Sequence, residues 1–519
     1  MYLRCTVFSL FFYLIVYVPN IYSELFSAID KLEKLAANEK FLTQELEKFA
    51  IQVNDDYVFR KLKAWQNKNV GLIETQIMSH HTNPLNAFLM IKRATVDINL
   101  IKRRFTKESD ALSRNIDNFL PEDNDLVGAV AGLLRLQFFY KLKTKDIASG
   151  IIDGETTTSP LSVHDLFVIG EEALKIDGQE RLALEYLEIV WLRLQEGIEI
   201  DKDVSEKSLL LHLISIYRNV GNYVKAFEML EELTSKFIEI ADDRYFTFLK
   251  KSFLNKMKKS SSQASVVDPL SDHFVHDETF SDSKDRILIG KLCRGDEKKT
   301  IRETSAFFCR YLSTNSFTKL ARFKIEELNL DPYIISFVDV LSENETRFLK
   351  HTSSSKQGPG TVLDANLQES ISSRRIAQTS WHNKTDDKTF QKLSRRVEDM
   401  TNLSQNHAEP LQIQNYGIGG HYVGHWDCFM QWDTPFERDG NRIATVLFYL
   451  SDVEKGGATV FPFLNLRISP RKGAAIFWYN LSSSGSCDFF TRHSGCPVLL
   501  GSKWVANQWI REYGNEFKR

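Results

Sequence analysis

Beyond its N-terminal leader the chain has no apolar run approaching the ~20 residues a membrane helix needs, so no lasting membrane span is expected. The leader reads Met1-Tyr-Leu-Arg-Cys and then an almost wholly apolar Thr6–Pro19. With Arg4 as its positive residue and Ser23 before the cleavage point, residues 1–23 read as a secretory signal peptide, a signal anchor being the alternative. An excess of one charge is also lacking. The 66 Lys and Arg against 68 Asp and Glu leave a net charge of −2, with no basic footprint for nucleic acid. Cysteine is scarce. Of six, Cys5 departs with the leader, leaving Cys293, Cys309, Cys428, Cys487 and Cys496. An odd count requires at least one free or intermolecular thiol, in a compartment where pairing is permitted. No Lys-Asp-Glu-Leu-type retention signal closes the chain, which ends Glu516-Phe-Lys-Arg519.

What is present is enough apolar residue, 43% of 519, for two to four ordinary globular cores. The chemistry concentrates between Leu411 and Ile510. There His425-Trp426-Asp427 is followed at a distance by His493 and then Lys503. Residues i and i+2 of a strand share a face, so His425 and Asp427 can address one metal while Trp426 points away. A third ligand must then come from another strand, and His493 supplies it if the chain folds back as a barrel or jelly roll. Two imidazoles and one carboxylate form a facial triad that suits Fe(II) and leaves positions open. The neighbouring segments Leu411–Tyr416, Arg442–Leu450, Ala458–Phe461, Gly473–Tyr479, Cys496–Leu500 and Lys503–Ile510 read as strands. They are β-branched and aromatic, punctuated by Gly, Pro, Ser or Asn, and no long helical period competes with them. A lone His-x-Asp is a weak signal. Here it stands with Tyr416-Gly-x-Gly-Gly, Gly456-Gly457-x-Thr459-x-Phe461-Pro462 and Phe477-Trp478-Tyr479-Asn480.

On these residues the segments Asn415–Asp427, Asn441–Pro462 and His493–Trp509 resemble the catalytic domain of the collagen prolyl 4-hydroxylase alpha-subunit family. The resemblance implies an iron- and 2-oxoglutarate-dependent dioxygenase on a double-stranded β-helix. It implies His425, Asp427 and His493 as ligands of Fe(II), and Lys503 as partner of the distal 2-oxoglutarate carboxylate. Tyr416 and Thr445 are expected to line that pocket, with L-ascorbate as reductant. The substrate implied is a Pro-rich or collagen-like peptide. The partners implied are a protein disulfide isomerase beta subunit and a second alpha subunit in a tetramer, in the endoplasmic reticulum lumen. Two other readings are weighed against this one. A non-catalytic peptide-binding subunit would keep the jelly roll as scaffold, yet scaffolding needs neither triad nor Lys503. A zinc hydrolase suits His and Asp ligands but leaves Lys503 unexplained.

The rest of the chain reads as multidomain α + β, with a helical, coiled-coil-bearing N-terminal part and a tetratricopeptide-like domain before the jelly roll. Residues 24–149 form the expected helical dimerisation region. There Ala28, Leu32, Leu35, Glu39, Leu42, Leu46, Phe49 and Val53 follow a coiled-coil seam with one polar intrusion. A helix packed inside its own domain is the alternative. The segments Asn83–Arg93 and Pro121–Gln137 resemble the family's dimerisation region. Residues 150–257 are expected to form a tetratricopeptide-like peptide-substrate-binding domain. Its signal is Tyr217, Gly221, Tyr223 and Ala226 at helix-turn-helix positions, with a half-match over Asp165–Gly197. Leu211, His212 and Ser215 stand where the family groove carries more aromatic lining.

Residues 258–329 read as a linker containing Cys293 and Cys309, which the resemblance pairs as a disulfide. Residues 330–519 read as the dioxygenase domain. Its Ser373–Trp381 segment resembles a substrate lid, with Arg374 and Ala377 as departures. Cys496 lacks the C-terminal partner the resemblance implies, so Cys487–Cys496 is the expected second bond, with Cys428 reduced. Sequons at Asn344, Asn383, Asn402 and Asn480 mark glycan sites where exposed, and Asn480, following an apolar strand, is expected to be unused.

Overall fold

The computed structural model describes residues 29–52, 55–69, 82–104, 121–156, 158–197, 203–241, 243–260, 283–313, 315–363, 369–430 and 439–516. The leader and much of the Ser- and Asp-rich stretch after Lys258 lie outside them. The described chain is helical to Ser260 and sheet-rich from Cys309 onward.

The C-terminal part is built of two antiparallel sheets. The larger runs, in spatial order, Cys309–Leu312, Phe323–Leu330, Tyr333–Val338, Ala475–Tyr479, Arg442–Tyr449, Lys503–Arg511, Leu411–Tyr416, Gln378–His382 and Gly358–Pro359. The smaller runs Leu466–Ile468, Thr459–Phe461, His493–Gly495, His421–His425 and Arg375–Ile376. From Leu411 the chain passes back and forth between the sheets, the course of a double-stranded β-helix. Phe461, Leu466 and Ile468 of the smaller sheet pack on Tyr416, Ile476, Trp478 and Val505 of the larger one, closing the sandwich. On its other face the larger sheet is covered by Lys388–Thr401, a helix capped by Asp387. That helix buries Phe390, Leu393, Val397 and Met400, a 3-4-3 spacing that makes one apolar stripe. The sheet starts earlier than the expected domain start near Leu330, because Cys309–Leu312 and Phe323–Leu330 pair as its outer strands.

In the helical part, Val163–Ala173, Glu180–Gln195, Glu206–Asn219, Tyr223–Lys236 and Arg244–Ser260 follow one another as packed antiparallel neighbours. Two of the small residues do different things. Gly221 adopts φ +82° in a turn with nothing near a notional Cβ, so it serves the left-handed backbone. Gly170 is the close-crossing residue, where a Cβ would meet Leu187 at 2.5 Å. The N-terminal seam is covered by the chain itself. Leu32 and Leu35 join the main helical core, whereas Leu46 and Ala50 pack with Val58, Leu62, Ile98 and Ile101. Glu39, the polar intrusion, is buried and paired with Arg93. Leu42, Phe49 and Val53 side chains lie outside the described residues.

The helical part docks on the smaller sheet through the helix Asp123–Tyr140. Arg135 donates to the Gly419 carbonyl at 2.9 Å, and the Tyr140 hydroxyl donates to the Pro497 carbonyl at 2.5 Å. The helix Ser283–Arg294 is wedged alongside, and it is stapled to the sheet by a disulfide between Cys293 and Cys496, Cα atoms 5.6 Å apart. The second disulfide joins Cys428 to Cys487, Cα atoms 5.9 Å apart, and Cys309 is an exposed free thiol.

Both expected pairings are therefore corrected. Cys309 lies on the edge strand of the larger sheet, whereas Cys293 faces the core made with Ala458, Val460 and Phe139, where Cys496 also sits. Cys487 is left to close on Cys428, the residue after Asp427. Of the sequons, Asn344, Asn383 and Asn402 are exposed and Asn480 is fully buried.

Peptide mapping without reduction is expected to yield crosslinked Cys293–Cys496 and Cys428–Cys487 peptides, with Cys309 alone alkylated in the native protein; a Cys293–Cys309 crosslink would contradict this packing. Gly456, at φ +80°, has no room for a Cβ, which would stand 2.6 Å from both the Pro497 carbonyl oxygen and the Tyr140 hydroxyl. Gly456→Ala should therefore destabilise by about 1–3 kcal/mol, read as a lower denaturation midpoint, because it strains the backbone and pushes the helix off the sheet.

Candidate active site

Two strands of the smaller sheet create the centre. His421–His425 and His493–Gly495 run antiparallel with His425 directly opposite His493, and their rings stand 4.2 Å apart. Directly opposed residues on an antiparallel pair project to one face, so register alone brings the imidazoles together. Asp427 sits two residues past His425, just beyond the strand end, and not within the strand as expected. Its carboxylate still reaches both rings: Oδ1 lies 3.7 Å from His425 Nε2 and Oδ2 3.8 Å from His493 Nε2. Among the described residues these three form a cluster with ligand atoms within 4.8 Å of one another, a group able to hold a metal ion.

The tautomers suit that role. His425 Nδ1 is 2.8 Å from the Val423 carbonyl and His493 Nδ1 3.0 Å from that of Thr491. A carbonyl only accepts, so each Nδ1 carries the proton and each Nε2 keeps its lone pair for a metal. Burial, and then the neighbouring His493, hold His425 well below the ordinary histidine range, so its ring is neutral. For Asp427 burial works against ionisation. The Arg442 charge and the hydrogen bond from the Thr445 hydroxyl favour the carboxylate, and the carboxyl is held below its ordinary value. Tyr422 stacks on His425 at 3.6 Å between ring centroids, and the Arg375 guanidinium lies 4.9 Å from the centre of the Tyr422 ring.

Lys503 lines the same cleft. It opens the long strand Lys503–Arg511, in register with Tyr416, and is only 3% exposed. Its Nζ lies 3.4 Å from Thr459 Oγ1 and 5.6 Å from the centre of the Tyr416 ring. Among the described residues no carboxylate pairs with it, and burial pulls its pKa down to about 7. An amine so enclosed gives up its charge more readily than an exposed one, and an anionic ligand beside it would favour the charged form.

Of the residues expected from sequence, His425, Asp427, His493, Lys503 and Tyr416 all line this one cleft. Thr445 does not. Its hydroxyl donates to Asp427 Oδ2 at 2.7 Å, behind the carboxylate. The threonine beside Lys503 is Thr459, held by the Tyr449 hydroxyl at 2.9 Å. It stands inside the Gly456-Gly457-x-Thr459 motif, so its position was visible in the sequence but its direction was not. Tyr422, Arg375, Trp478 and Trp509 complete the wall, and sequence reasoning named none of them for it.

Residues 28–154 match the family described as the prolyl 4-hydroxylase alpha-subunit, N-terminal region, and residues 411–511 match the 2OG-Fe(II) oxygenase superfamily. Similarity to individual proteins runs through nearly the whole chain. It is 32% identical to prolyl 4-hydroxylase subunit alpha-2 of Gallus gallus over 511 residues, 96% of this chain and 95% of that protein. It is 33% identical to prolyl 4-hydroxylase subunit alpha-2 of Caenorhabditis elegans over 513 residues, 96% of this chain and 93% of that one. With prolyl 4-hydroxylase subunit alpha-1 of Homo sapiens identity is 33% over 519 residues, 95% of each. A triad with a buried lysine beside it, in a chain that keeps this similarity from end to end, belongs to the prolyl 4-hydroxylase alpha-subunit family.

Proposed function

We propose that this chain is a catalytic alpha-type subunit that hydroxylates peptidyl proline to 4-hydroxyproline, consuming 2-oxoglutarate and dioxygen and releasing succinate and carbon dioxide. The observation that carries the reading is the cleft shared by the triad and an unpaired buried lysine. Metal ligands alone would fit several hydrolytic sites; a lone enclosed ammonium next to them fits a metal-chelating dicarboxylate.

His425 Nε2, His493 Nε2 and one Asp427 oxygen would hold Fe(II). Lys503 and the Thr459 hydroxyl would take the far carboxylate of 2-oxoglutarate, with Tyr416 along its length. Bound Fe(II) and 2-oxoglutarate supply the dioxygen-dependent oxidation of an unactivated C–H bond. The chain's own part is to orient and to exclude water. Phe461 and Trp478 pack against His493, Tyr422 against His425, and these rings leave the cleft walls largely apolar. A charge pair formed at Lys503 in such surroundings is worth more than in water.

The same proposal extends to the remaining parts. L-ascorbate would be the accompanying reductant. The helices between residues 150 and 257 would be a tetratricopeptide-like unit for a Pro-rich or collagen-like peptide. Tyr217 is nearly buried there and bonded to Glu188, with Lys225 over its ring, so the groove would be lined differently from one with open tyrosines. The relatives are named as subunits, which supports assembly with other chains; the partners proposed are a protein disulfide isomerase beta subunit and a second alpha chain, in the endoplasmic reticulum lumen. Burial of the seam residues Leu32, Leu35 and Leu46 within the chain favours other surfaces for self-association.

His425→Ala, Asp427→Ala and His493→Ala are each expected to abolish peptide-dependent succinate release while circular dichroism and the thermal transition stay close to the parent's. Full turnover by Asp427→Ala would overturn the triad. Binding of 2-oxoglutarate should also move a proton. Lys503 is largely neutral above about pH 7 in the free cleft and must charge to meet a carboxylate, so affinity should fall as pH rises above that value. Calorimetry at about pH 8.5 in buffers of different ionisation enthalpy should show uptake approaching one proton. Uptake should vanish at about pH 6, where Lys503 is already charged, and Lys503→Met should abolish both uptake and tight binding.

A further inference from the structure

Behind the triad lies a short relay of buried polar side chains. Thr445, on the strand Arg442–Tyr449, donates its hydroxyl to Asp427 Oδ2 at 2.7 Å. Asn480, just past the strand Ala475–Tyr479, donates its Nδ2 amide to Thr445 Oγ1 at 2.9 Å. Asn480 and Thr445 are fully buried and Asp427 is 3% exposed.

The direction of the relay follows from the proton count. A threonine hydroxyl has one proton and an ionised carboxylate has none, so the proton between them belongs to Thr445. Thr445 then faces Asn480 with lone pairs only, which selects the amide nitrogen of Asn480. Asn480 is itself fixed at both backbone atoms: its N–H donates to Ile443 O and its carbonyl accepts from Asp488 N–H, each at 2.8 Å.

We infer that Thr445 and Asn480 are positioning residues for the Asp427 ligand. The terminal torsion of an aspartate is soft and roughly two-fold. Without the relay either oxygen could turn to a metal, or both could chelate it. Although both oxygens lie near an imidazole, the bond from Thr445 engages Oδ2, which would fix the carboxylate plane and favour binding of a metal through Oδ1 alone. This leaves the remaining positions to cosubstrate and dioxygen. The inference rests on the metal-site reading above. It also gives Thr445 a role other than lining the cosubstrate pocket, and it accounts for the full burial of Asn480, the acceptor position of the Asn480-Leu481-Ser482 sequon: a glycan there would displace the amide that orients Thr445.

The test is Co(II) binding to the full chain in its purified assembly, without dioxygen, read by the visible absorption of the bound ion. Outer partners of metal ligands typically contribute 10–100-fold in affinity. Thr445→Val should weaken Co(II) by that factor and alter the band shape, while Thr445→Ser, which keeps the hydroxyl, should stay within about 3-fold of the parent on the same scale. Asn480→Asp should behave like Thr445→Val, because a second acceptor competes for the Thr445 proton. Ser482→Ala destroys the sequon without touching the relay and should bind as the parent does.

Parent-like binding by Thr445→Val would overturn the proposal, as would equal weakening by Thr445→Ser, which would mark a packing role. A glycan found on Asn480 by mass spectrometry would overturn it too. Asp427→Ala serves as the separate control. If that variant binds Co(II) like the parent, it is the metal site itself that fails.

Discussion

The pairing of His425 opposite His493 is the contact on which the site depends. It is a matter of register between two short strands of the smaller sheet. A slip of one residue would turn one imidazole to the opposite face and leave Asp427 with a single ring. The structure guards this register from both ends of the second strand. Arg492, immediately before His493, is ion-paired with Asp285 at 2.6 Å in a largely buried contact. Cys496, just after Gly495, is bonded to Cys293. Asp285 and Cys293 both belong to the helix Ser283–Arg294, so one helix clamps the strand on either side. That helix falls in a stretch that reads as linker in the sequence.

Charge is arranged around the cleft by the same economy of burial. Asp427 is buried but remains ionised, because Arg442 and the Thr445 hydroxyl face it. Arg442 is in turn held by Glu409, at 2.6 and 2.8 Å, and lies 3.7 Å over the Trp509 ring. Among the described residues Lys503 has no charged partner, and burial lowers its proton affinity. The cleft is thus balanced at its metal end and unbalanced at its lysine end. Under the proposed function this imbalance would favour a ligand that brings a carboxylate to Lys503 and chelating oxygens to the triad.

The helical part does more than precede the sheet. The helix Asp123–Tyr140 binds carbonyls of Gly419 and Pro497, which lie on the loop before His421 and just past the His493 strand. Ile418, Leu499 and Leu500 are continuous with the helical core. Gly419 and Gly456 are bare where the two parts touch, and a side chain at Gly456 would collide with the helix. The glycines of these motifs therefore serve docking as well as turning.

Much of this was legible in the chain alone. The β-branched and aromatic segments between Leu411 and Ile510, punctuated by Gly, Pro, Ser or Asn, mark strands, and the observed boundaries of Leu411–Tyr416 agree to the residue. The triad, Lys503 and Tyr416 were named from residue type and spacing together with resemblance, because ligand chemistry tolerates few substitutes. What the sequence left open were matters of direction and of distant pairing. Thr445 and Thr459 are the same residue type on strands of the two different sheets. Only the register decides that one backs Asp427 while the other meets Lys503. The cysteines are alike in chemistry and differ only in which core they face. Their partners, 203 and 59 residues away along the chain, were set by how the helix Ser283–Arg294 lies on the sheet. The N-terminal heptads have the period of a coiled coil, yet an apolar stripe carries no label for its partner. Packing against Val58, Leu62, Ile98 and Ile101 was decided by the tertiary fold, which brings those residues close enough to exclude water from it.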